Sequence, residues 1–254
     1  MEIVFYDNNR NSVVRLDYAG SNKFINCNAI AKSTCFEFQS RIAFTENALT
    51  LFHKSLKSIY GLKEYAASLL SENGLFFLQL SCNELGHMNY TINIKDEQER
   101  SKVFLKFEAD LSFIPEMLEQ IDGFLKRIIN DDVSKADVHK NIVLSRVSLS
   151  RIYKSSPKGN DTILLKINHS SFIITRNVEV TKDEEEKLLN DLTLYDESKR
   201  TMEFYPLGDF VHFSLIWNDK VTWINGSVSD YQFPYNSIDF NIPCQYVEHN
   251  FALH

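Results

Sequence analysis

VFLKFEADLSFIPEMLEQIDGFLKRII, residues 103–129, is the stretch that decides the fold of this chain. Apolar side chains alternate from Val103 to Phe107, which is the spacing of a β-strand. After Asp110 they recur at the spacing of one helix face, at Phe113, Met117, Ile121, Phe124 and Ile128. Ser112 is the predicted N-cap, and Pro115 falls in the first turn, where a missing N–H costs little. An amphipathic helix that directly follows a strand needs a sheet to cover, so the stretch predicts an α+β fold.

The residues before this stretch predict more strands and one more helix. Thr45 is the predicted N-cap of a helix over 46–60 with one apolar face, and Gly61 ends it. The Asn73-Gly74 pair is a strong hairpin signal. Strand-like runs cover 2–6, 13–18, 23–30, 34–44, 64–70, 75–82, 87–95 and 102–109. The last four are joined by short turns, which predicts an antiparallel meander covered by the 113–129 helix.

The residues after this stretch repeat the same order of elements. A polar segment at 131–137 is the predicted linker, and Thr181 with Glu184 forms a capping box for a helix that ends near Leu192. Predicted strands cover 141–153, 162–168, 171–180, 199–206, 209–217, 221–229 and 237–247.

Spacing from the two capping threonines indicates that the chain is an internal duplication. Phe36 lies nine positions before Thr45, and Phe172 lies nine before Thr181. LFFLQLS begins 30 positions after the first threonine, and DFVHFSL begins 28 after the second. The duplication predicts two related units, 1–130 and 131–254, each an antiparallel sheet with a helix packed on one face. Only the first ends in a further helix.

Composition narrows the class of protein. The chain has 254 residues, 44% of them hydrophobic, and a formal net charge of −7. The acidic balance argues against a nucleic-acid-binding surface and favours a basic protein partner. The first residues lack the basic flank and apolar run of a signal peptide, and no stretch approaches the roughly 18 apolar residues of a membrane span, so we expect a cytoplasmic protein without a membrane partner. Four cysteines without a CxxC pair predict buried thiols; they are Cys27, Cys35, Cys82 and Cys244.

No sequence motif of catalysis or cofactor binding accompanies this fold. The chain has no GxSxG, P-loop or GxGxxG motif. Glu84 with His87, and Glu248 with His249, do not have the spacing of HExxH or of another metal-binding pattern. We therefore expect a protein that is not an enzyme and that carries no cofactor and no metal.

The first half resembles the WapI-type immunity proteins of bacteria over residues of about 13–130. Three stretches carry the resemblance: FEFQSRIAFTENALTLFHKSLKSIYGL at 36–62, the Gly86-His87 start of GHMNYTINI, and KVFLKFEADLSFIPEMLEQIDGFL at 102–125. In the last, Asp110 followed by Phe113-Ile114-Pro115-Glu116 is similar to the strand end and helix start of that family. The second half departs from this pattern, with Asp219-Lys220 in place of Gly86-His87.

The resemblance implies an immunity, or antitoxin-like, protein that binds and neutralises a cognate toxin domain, a nuclease in this family, by protein–protein contact. Such an inhibitor has to occupy a groove that attracts phosphates, so carboxylates on a rigid scaffold are expected at the interface. Residues 131–254 carry 18 acidic and 13 basic residues, against 16 and 14 in 1–130, so the second half is the favoured docking half.

Candidate partner-binding residues follow from charge and aromatic content. For the acidic run at a helix start the alternative role is capping, and for the acidic run in a hairpin loop it is simple solvation. For the aromatic residues the alternative role is core packing. The candidates are Asp183, Glu184, Glu185, Glu186, Asp219, Trp223, Tyr231, Phe233, Tyr235, Asp96, Glu97 and Glu99.

Two other functions stay open from the sequence. One is an accessory module whose sheet holds a peptide or small molecule in a deep apolar pocket. The other is a hydrolase whose His, carboxylate and Ser or Cys meet only in space, because such triads have no fixed sequence order. The oligomeric state is also open.

Overall fold

The computed structural model describes residues 1–21, 23–128, 145–152, 161–193, 201–206, 211–217, 222–230 and 236–250. The chain divides into two compact units. Unit 1 comprises Met1–Ser33 and Phe38–Lys140, and unit 2 comprises Thr34–Glu37 and Asn141–His254. The predicted linker at 131–137 lies outside the described residues.

Unit 1 contains two antiparallel runs of four strands and two helices. The first run is β1 (Glu2–Tyr6), β2 (Ser12–Ser21), β3 (Ile25–Lys32) and β4 (Phe36–Phe44), with the first two residues of β4 assigned to unit 2. Helix α1 (Glu46–Tyr60) leads to the second run, β5 (Ala66–Leu70), β6 (Phe76–Cys82), β7 (His87–Lys95) and β8 (Ser101–Asp110). A short 3-10 turn, Leu111–Phe113, then opens α2 (Ile114–Ile128).

The core of unit 1 lies under the two helices. Alternate residues of the strands are buried, and α1 buries the side chains that recur at helical spacing, Leu49, Phe52, Leu56 and Ile59. Tyr90 of β7 stacks on Phe107 of β8 with ring centroids 4.8 Å apart, and its hydroxyl donates to the Met117 sulfur of α2 at 3.4 Å. These contacts fix α2 on the sheet, as the amphipathic pattern predicts.

The start of α2 differs from the prediction. Ser112 is not the N-cap: it lies inside the 3-10 turn and donates its backbone N–H to the Asp110 carboxylate at 2.8 Å. This hydrogen bond holds the pKa of Asp110 below its ordinary value. The cap is therefore Asp110, because a short side chain two residues earlier reaches the first free N–H of the turn.

Unit 2 has seven strands and one helix in the described part of the chain. The elements are β9 (Ser145–Ile152), β10 (Asp161–Asn168), β11 (Phe172–Val180), α3 (Lys182–Thr193), β12 (Thr201–Phe204), β13 (Val211–Trp217), β14 (Thr222–Ser229) and β15 (Ser237–Asn250). Neighbours pair antiparallel, except that the end of β15 pairs with β9 in parallel, from Cys244 opposite Ser145 to Asn250 opposite Ser150. This parallel pair joins β9–β11 to β12–β15.

The predicted α+β fold of two related units is confirmed. In each unit a run of strands, four in unit 1 and three in unit 2, is followed by one helix and a four-stranded meander. β3, β4, α1 and β8 each begin 136 positions before β10, β11, α3 and β15. Both capping threonines act as predicted: Thr45 Oγ1 accepts from Ala48 N at 3.1 Å, and Thr181 Oγ1 accepts from Glu184 N at 3.3 Å. No helix follows β15 within the described residues.

A four-residue segment from early in the chain completes unit 2. The carboxylate of Asp230 is fully buried and accepts from the Thr34 hydroxyl at 2.7 Å and from the Thr34 N–H at 3.3 Å. Thr175 of β11 donates its N–H to the Cys35 carbonyl at 3.0 Å. Buried polar atoms need such partners, so these bonds attach Thr34–Glu37 to unit 2.

Candidate protein-binding surface

The acidic residues at the start of α3 divide between structural and exposed positions. Glu184 is the reciprocal half of the capping box, since its carboxylate accepts from the Thr181 N–H at 2.7 Å. Glu185 is buried. Asp183 and Glu186 are exposed. Two of the four predicted carboxylates are thus presented outward.

The acidic loop between β7 and β8 is also partly structural. Asp96 is buried, and its carboxylate accepts from the Arg100 N–H at 2.8 Å, which closes the loop. Glu99 has a positive φ of 54° and pairs with Lys95 at 3.0 Å. Glu97 is exposed. The sequence could not separate these roles, because a loop-closing Asp and a solvated Asp have the same neighbours in the chain.

The aromatic candidates of unit 2 are only partly described. Trp223 is half-buried in β14, where it lies opposite Ile216 of β13. Ile216 is exposed, and sequence reasoning did not select it. The other candidates in this region lie outside the described residues; they are Asp219, Tyr231, Phe233 and Tyr235.

The structure places a second set of candidate residues around β5 of unit 1. Five large apolar side chains are exposed within 60–85: Tyr60, Leu62, Tyr65, Leu70 and Leu85. We call these five residues, with the exposed carboxylates Glu64, Glu72 and Glu84, the β5 surface. The described part of unit 1 has only two other exposed large hydrophobic residues, Met1 and Leu51.

The members of the β5 surface lie on or beside one strand. Tyr60 and Leu62 precede β5, and Leu70 ends it. The backbone carbonyl of Tyr65 accepts a hydrogen bond from the Cys82 N–H at 2.8 Å, which places the turn after Cys82 next to the start of β5. Leu85 is in that turn, so it lies at the same end of the β5–β6 hairpin as Tyr65.

Hydrogen bonds hold the turn that carries Leu85. The Asn83 side-chain oxygen accepts from the N–H groups of Leu85 and His87, each at 3.0 Å, and Gly86 N donates to the Asn83 carbonyl at 3.0 Å. Gly86 has a φ of 82°, a conformation that glycine adopts without strain. The side chain of Leu85 is 83% exposed on this fixed turn. Because the backbone of this turn is already ordered, binding at Leu85 costs little backbone conformational entropy.

The connection from α1 to β5 is likewise ordered by backbone hydrogen bonds. Gly61 N and Leu62 N donate to the carbonyls of Lys57 and Ile59 at 3.0 and 2.9 Å. Leu62 has a positive φ of 53°, which is uncommon for a branched aliphatic residue, and its side chain is 52% exposed. A sequence signal was present here: a large apolar residue directly beside a turn glycine, as in Gly61-Leu62 and Leu85-Gly86.

Burial lowers the reactivity of the cysteine thiols. The predicted burial of all four cysteines is confirmed, and burial raises the pKa of Cys27 to about 12 and that of Cys35 to about 11. Those two thiols stay protonated at neutral pH. No group of three or more His, Cys, Asp and Glu side chains within the described residues is arranged to hold a metal ion.

One histidine contacts a carboxylate in unit 1. The Nε2 atom of His53 on α1 lies 3.1 Å from Oδ1 of Asp122 on α2, although the angle does not suit a hydrogen bond. Burial lowers the pKa of His53, and nearby Lys57 lowers it further, against the opposing effect of Asp122. His53 is therefore a neutral, buried side chain in the helix pair at pH 7.

No protein-family model, curated protein or solved structure matches this chain. The similarity to WapI-type immunity proteins therefore stays a prediction that rests on the three sequence stretches. No described helix is long and apolar enough to cross a membrane.

Proposed function

We propose that this protein is an immunity protein that binds a cognate bacterial toxin domain, a nuclease by the family resemblance, and neutralises it by protein–protein contact. The observation that carries the proposal is the β5 surface, where tyrosine and leucine side chains are exposed beside three carboxylates. Tyrosine anchors and an acidic surround suit a basic partner that has a groove for phosphates.

The chemistry of the surface supports inhibition by occupancy. Tyr60 and Tyr65 each offer a large apolar ring with a hydroxyl, a combination that is enriched at the centres of protein interfaces. Glu64, Glu72 and Glu84 bring negative charge to the same strand and its flanking turns, which speeds association with a basic surface and aligns it. The exposed Asp183, Glu186 and Glu97 add to the negative field that a basic partner meets.

The test uses the toxin domain encoded in the neighbouring reading frame. We expect the purified full chain to form a stable complex with that domain on size-exclusion chromatography and to abolish its nuclease activity at equimolar amounts without turnover. Co-expression is expected to restore growth of cells that produce the toxin domain. A toxin domain that stays active and elutes separately in the presence of excess protein would contradict the proposal.

A matched pair of leucines tests the location of the site. Leu62→Ala is expected to weaken binding about tenfold, because truncation of an apolar anchor at an interface costs roughly 1–2 kcal/mol. Leu51→Ala is the control: Leu51 is 53% exposed, against 52% for Leu62, but it lies on α1 nine positions before Tyr60 and is not part of the β5 surface. Isothermal titration calorimetry measures both variants. Equal losses for the two would show that binding is elsewhere.

A further inference from the structure

The hydrogen-bond register of β5 identifies which of its backbone groups point away from the sheet. Cys82 N donates to the Tyr65 carbonyl at 2.8 Å, and Ser71 N donates to the Phe76 carbonyl at 2.9 Å, in the register that pairs β5 with β6. In an antiparallel pair only alternate residues exchange these bonds. Ala66, Ser68 and Leu70 therefore direct their N–H and C=O groups away from β6.

Those outward groups have no hydrogen-bond partner among the described residues. β5 is an end strand of unit 1 whose strand neighbour there is β6, and no described residue bonds to Ala66, Ser68 or Leu70 on the outer side. Their side chains are exposed as well. Three donors and three acceptors are thus presented in a row on a strand without a register shift.

The other end strand of unit 1, β1, is closed. There Tyr18 N donates to the Met1 carbonyl, so the N–H of Val4 points outward by the same alternation. The side-chain oxygen of Gln120 on α2 accepts from that N–H at 2.8 Å. Glu2 on β1 also pairs with Arg15 at 3.5 Å. The β1 edge is therefore protected by a helix side chain and by charge. On β5 the flanking N–H groups of Glu64 and Glu72 are bonded within unit 1, to the carbonyls of Ser58 at 3.4 Å and Ala43 at 2.7 Å, so the open part of this edge is Ala66–Leu70.

The sequence of β5 is unusual for an edge. Residues 65–71 read YAASLLS, without a charged residue or a proline, in a chain that is 24% charged. Edge strands are commonly protected by lysine, proline or a bulge against pairing with other chains. The lack of these three devices at β5 makes this edge competent for strand addition.

Charge at the two ends of the strand selects the occupant. Glu64 and Glu72, both exposed, lie on either side of the uncharged segment. If a second copy paired antiparallel about Ser68, Glu64 of each copy would lie opposite Glu72 of the other, which places like charges together at both ends. A strand with an apolar centre and Lys or Arg at its ends meets the same edge with opposite charges.

We propose that β5 is a strand-addition site that takes an extended, basic-ended segment of a partner protein, paired through the backbone groups of Ala66, Ser68 and Leu70. The proposal rests on the proposed function for the identity of that partner, the toxin domain. Backbone pairing supplies the binding, and Glu64 and Glu72 set the preference for basic ends.

The principal variant is Ser68→Pro. Proline is tolerated at an edge position whose N–H faces outward, so β5 keeps its bonds to β6 while an incoming strand loses a donor and meets the ring. A second variant, Ser68→Lys, leaves the backbone intact and puts a positive charge on the edge. Ser170→Lys, at an exposed serine in the β10–β11 turn of unit 2, is the matched control for charge. Circular dichroism establishes that each variant is folded.

Binding to the toxin domain is the first readout. We expect the wild-type chain and Ser170→Lys to bind alike, and Ser68→Pro and Ser68→Lys to bind at least about tenfold more weakly. In the wild-type complex the outward amides of Ala66, Ser68 and Leu70 are expected to become protected from hydrogen exchange. Full-strength binding by folded Ser68→Pro, without protection of these amides, would overturn the strand-addition site and leave the immunity function standing.

A peptide provides a readout that does not depend on the toxin. We expect the extended peptide Lys-Val-Thr-Val-Thr-Val-Thr-Val-Lys, whose ends are as far apart as Glu64 and Glu72, to protect the same three amides in the wild-type chain. We expect Glu-Val-Thr-Val-Thr-Val-Thr-Val-Glu to protect them less. Peptide binding without toxin binding supports the site and counts against the proposed function. The strand-addition site is overturned if neither peptide protects β5 and Ser68→Pro has no effect on any complex. A wild-type dimer that Ser68→Pro dissolves would assign the edge to a second copy and overturn the basic partner.

Discussion

At the scale of single residues, His53 links the two helices of unit 1 and makes the stability of that unit depend on pH. Its side chain is buried, so the folded state disfavours the charged form and the pKa of His53 lies below 6.5. In the unfolded chain the pKa returns to its ordinary value. Between the two values the unfolded state binds more protons, so stability is full above about pH 6.5 and declines as the pH falls towards the folded pKa.

We expect His53→Gln to remove this part of the pH dependence. The free energy of unfolding of the wild-type chain should decline as the pH falls below about 6.5, by up to about 1.4 kcal/mol per pH unit, and His53→Gln should show a shallower slope. Urea denaturation at several pH values measures it. Asp122→Asn should steepen the slope, because Asp122 opposes the lowering of the His53 pKa. Identical slopes for the wild-type chain and His53→Gln would contradict this prediction.

Single residues also show where sequence reasoning ends. Thr45 and the Thr181–Glu184 box were predictable because a cap and its partner lie within three positions of each other. Asp122 lies 69 positions after His53, and Asp230 lies 196 after Thr34, so neither contact leaves a local pattern. Composition could not indicate that Asp96 and Glu185 are buried, because carboxylates are usually exposed.

At the scale of elements, the contrast between the two end strands of unit 1 depends on one side chain. Gln120 reaches from α2 to the outward N–H of Val4 and closes the β1 edge. The sequence predicted a strand over residues 2–6, but it did not indicate which strands are edges. Edge position is set by pairing across the whole sheet, so the open β5 edge was missed although its helix, turn and strand neighbours were predicted.

We expect Gln120→Ala to lower the free energy of unfolding by about 1–2 kcal/mol, because the partly buried N–H of Val4 loses its acceptor. Urea denaturation measures the change. Glu119→Ala is the matched control, since Glu119 is the exposed neighbour on the same helix and should change stability by less than about 0.5 kcal/mol. Equal effects of the two substitutions would show that the Gln120 hydrogen bond contributes nothing.

At the scale of the whole molecule, we expect the net charge of −7 and the exposed carboxylates to steer a basic partner towards the protein. An experiment has to decide which of the two units binds that partner. The sequence favoured the more acidic second half, whereas the exposed apolar residues favour the β5 surface of unit 1. A count of charges could not have indicated the β5 surface as a candidate, because carboxylates guide the encounter whereas apolar anchors supply most of the affinity.

Two double variants with equal charge change separate these sites. We expect Glu64→Gln with Glu72→Gln to weaken binding of the toxin domain about tenfold and to reduce its dependence on salt. Asp183→Asn with Glu186→Gln, on α3, should have a smaller effect, because only the overall field changes. Stopped-flow association and calorimetry at several salt concentrations measure both. A larger effect of the α3 pair would locate the interface where the sequence predicted it.

The parallel pairing of β15 with β9 has a consequence for how the chain folds. β9 takes the place in unit 2 that β2 takes in unit 1. On its outer side β2 pairs with β1 in a local hairpin, whereas β9 pairs with β15, which lies roughly 100 residues further along the chain. Closing so long a loop is slow, because its entropy is lost before any contact compensates for it. We therefore expect unit 1 to form faster, and unit 2 to complete its sheet only after β15 has been synthesised.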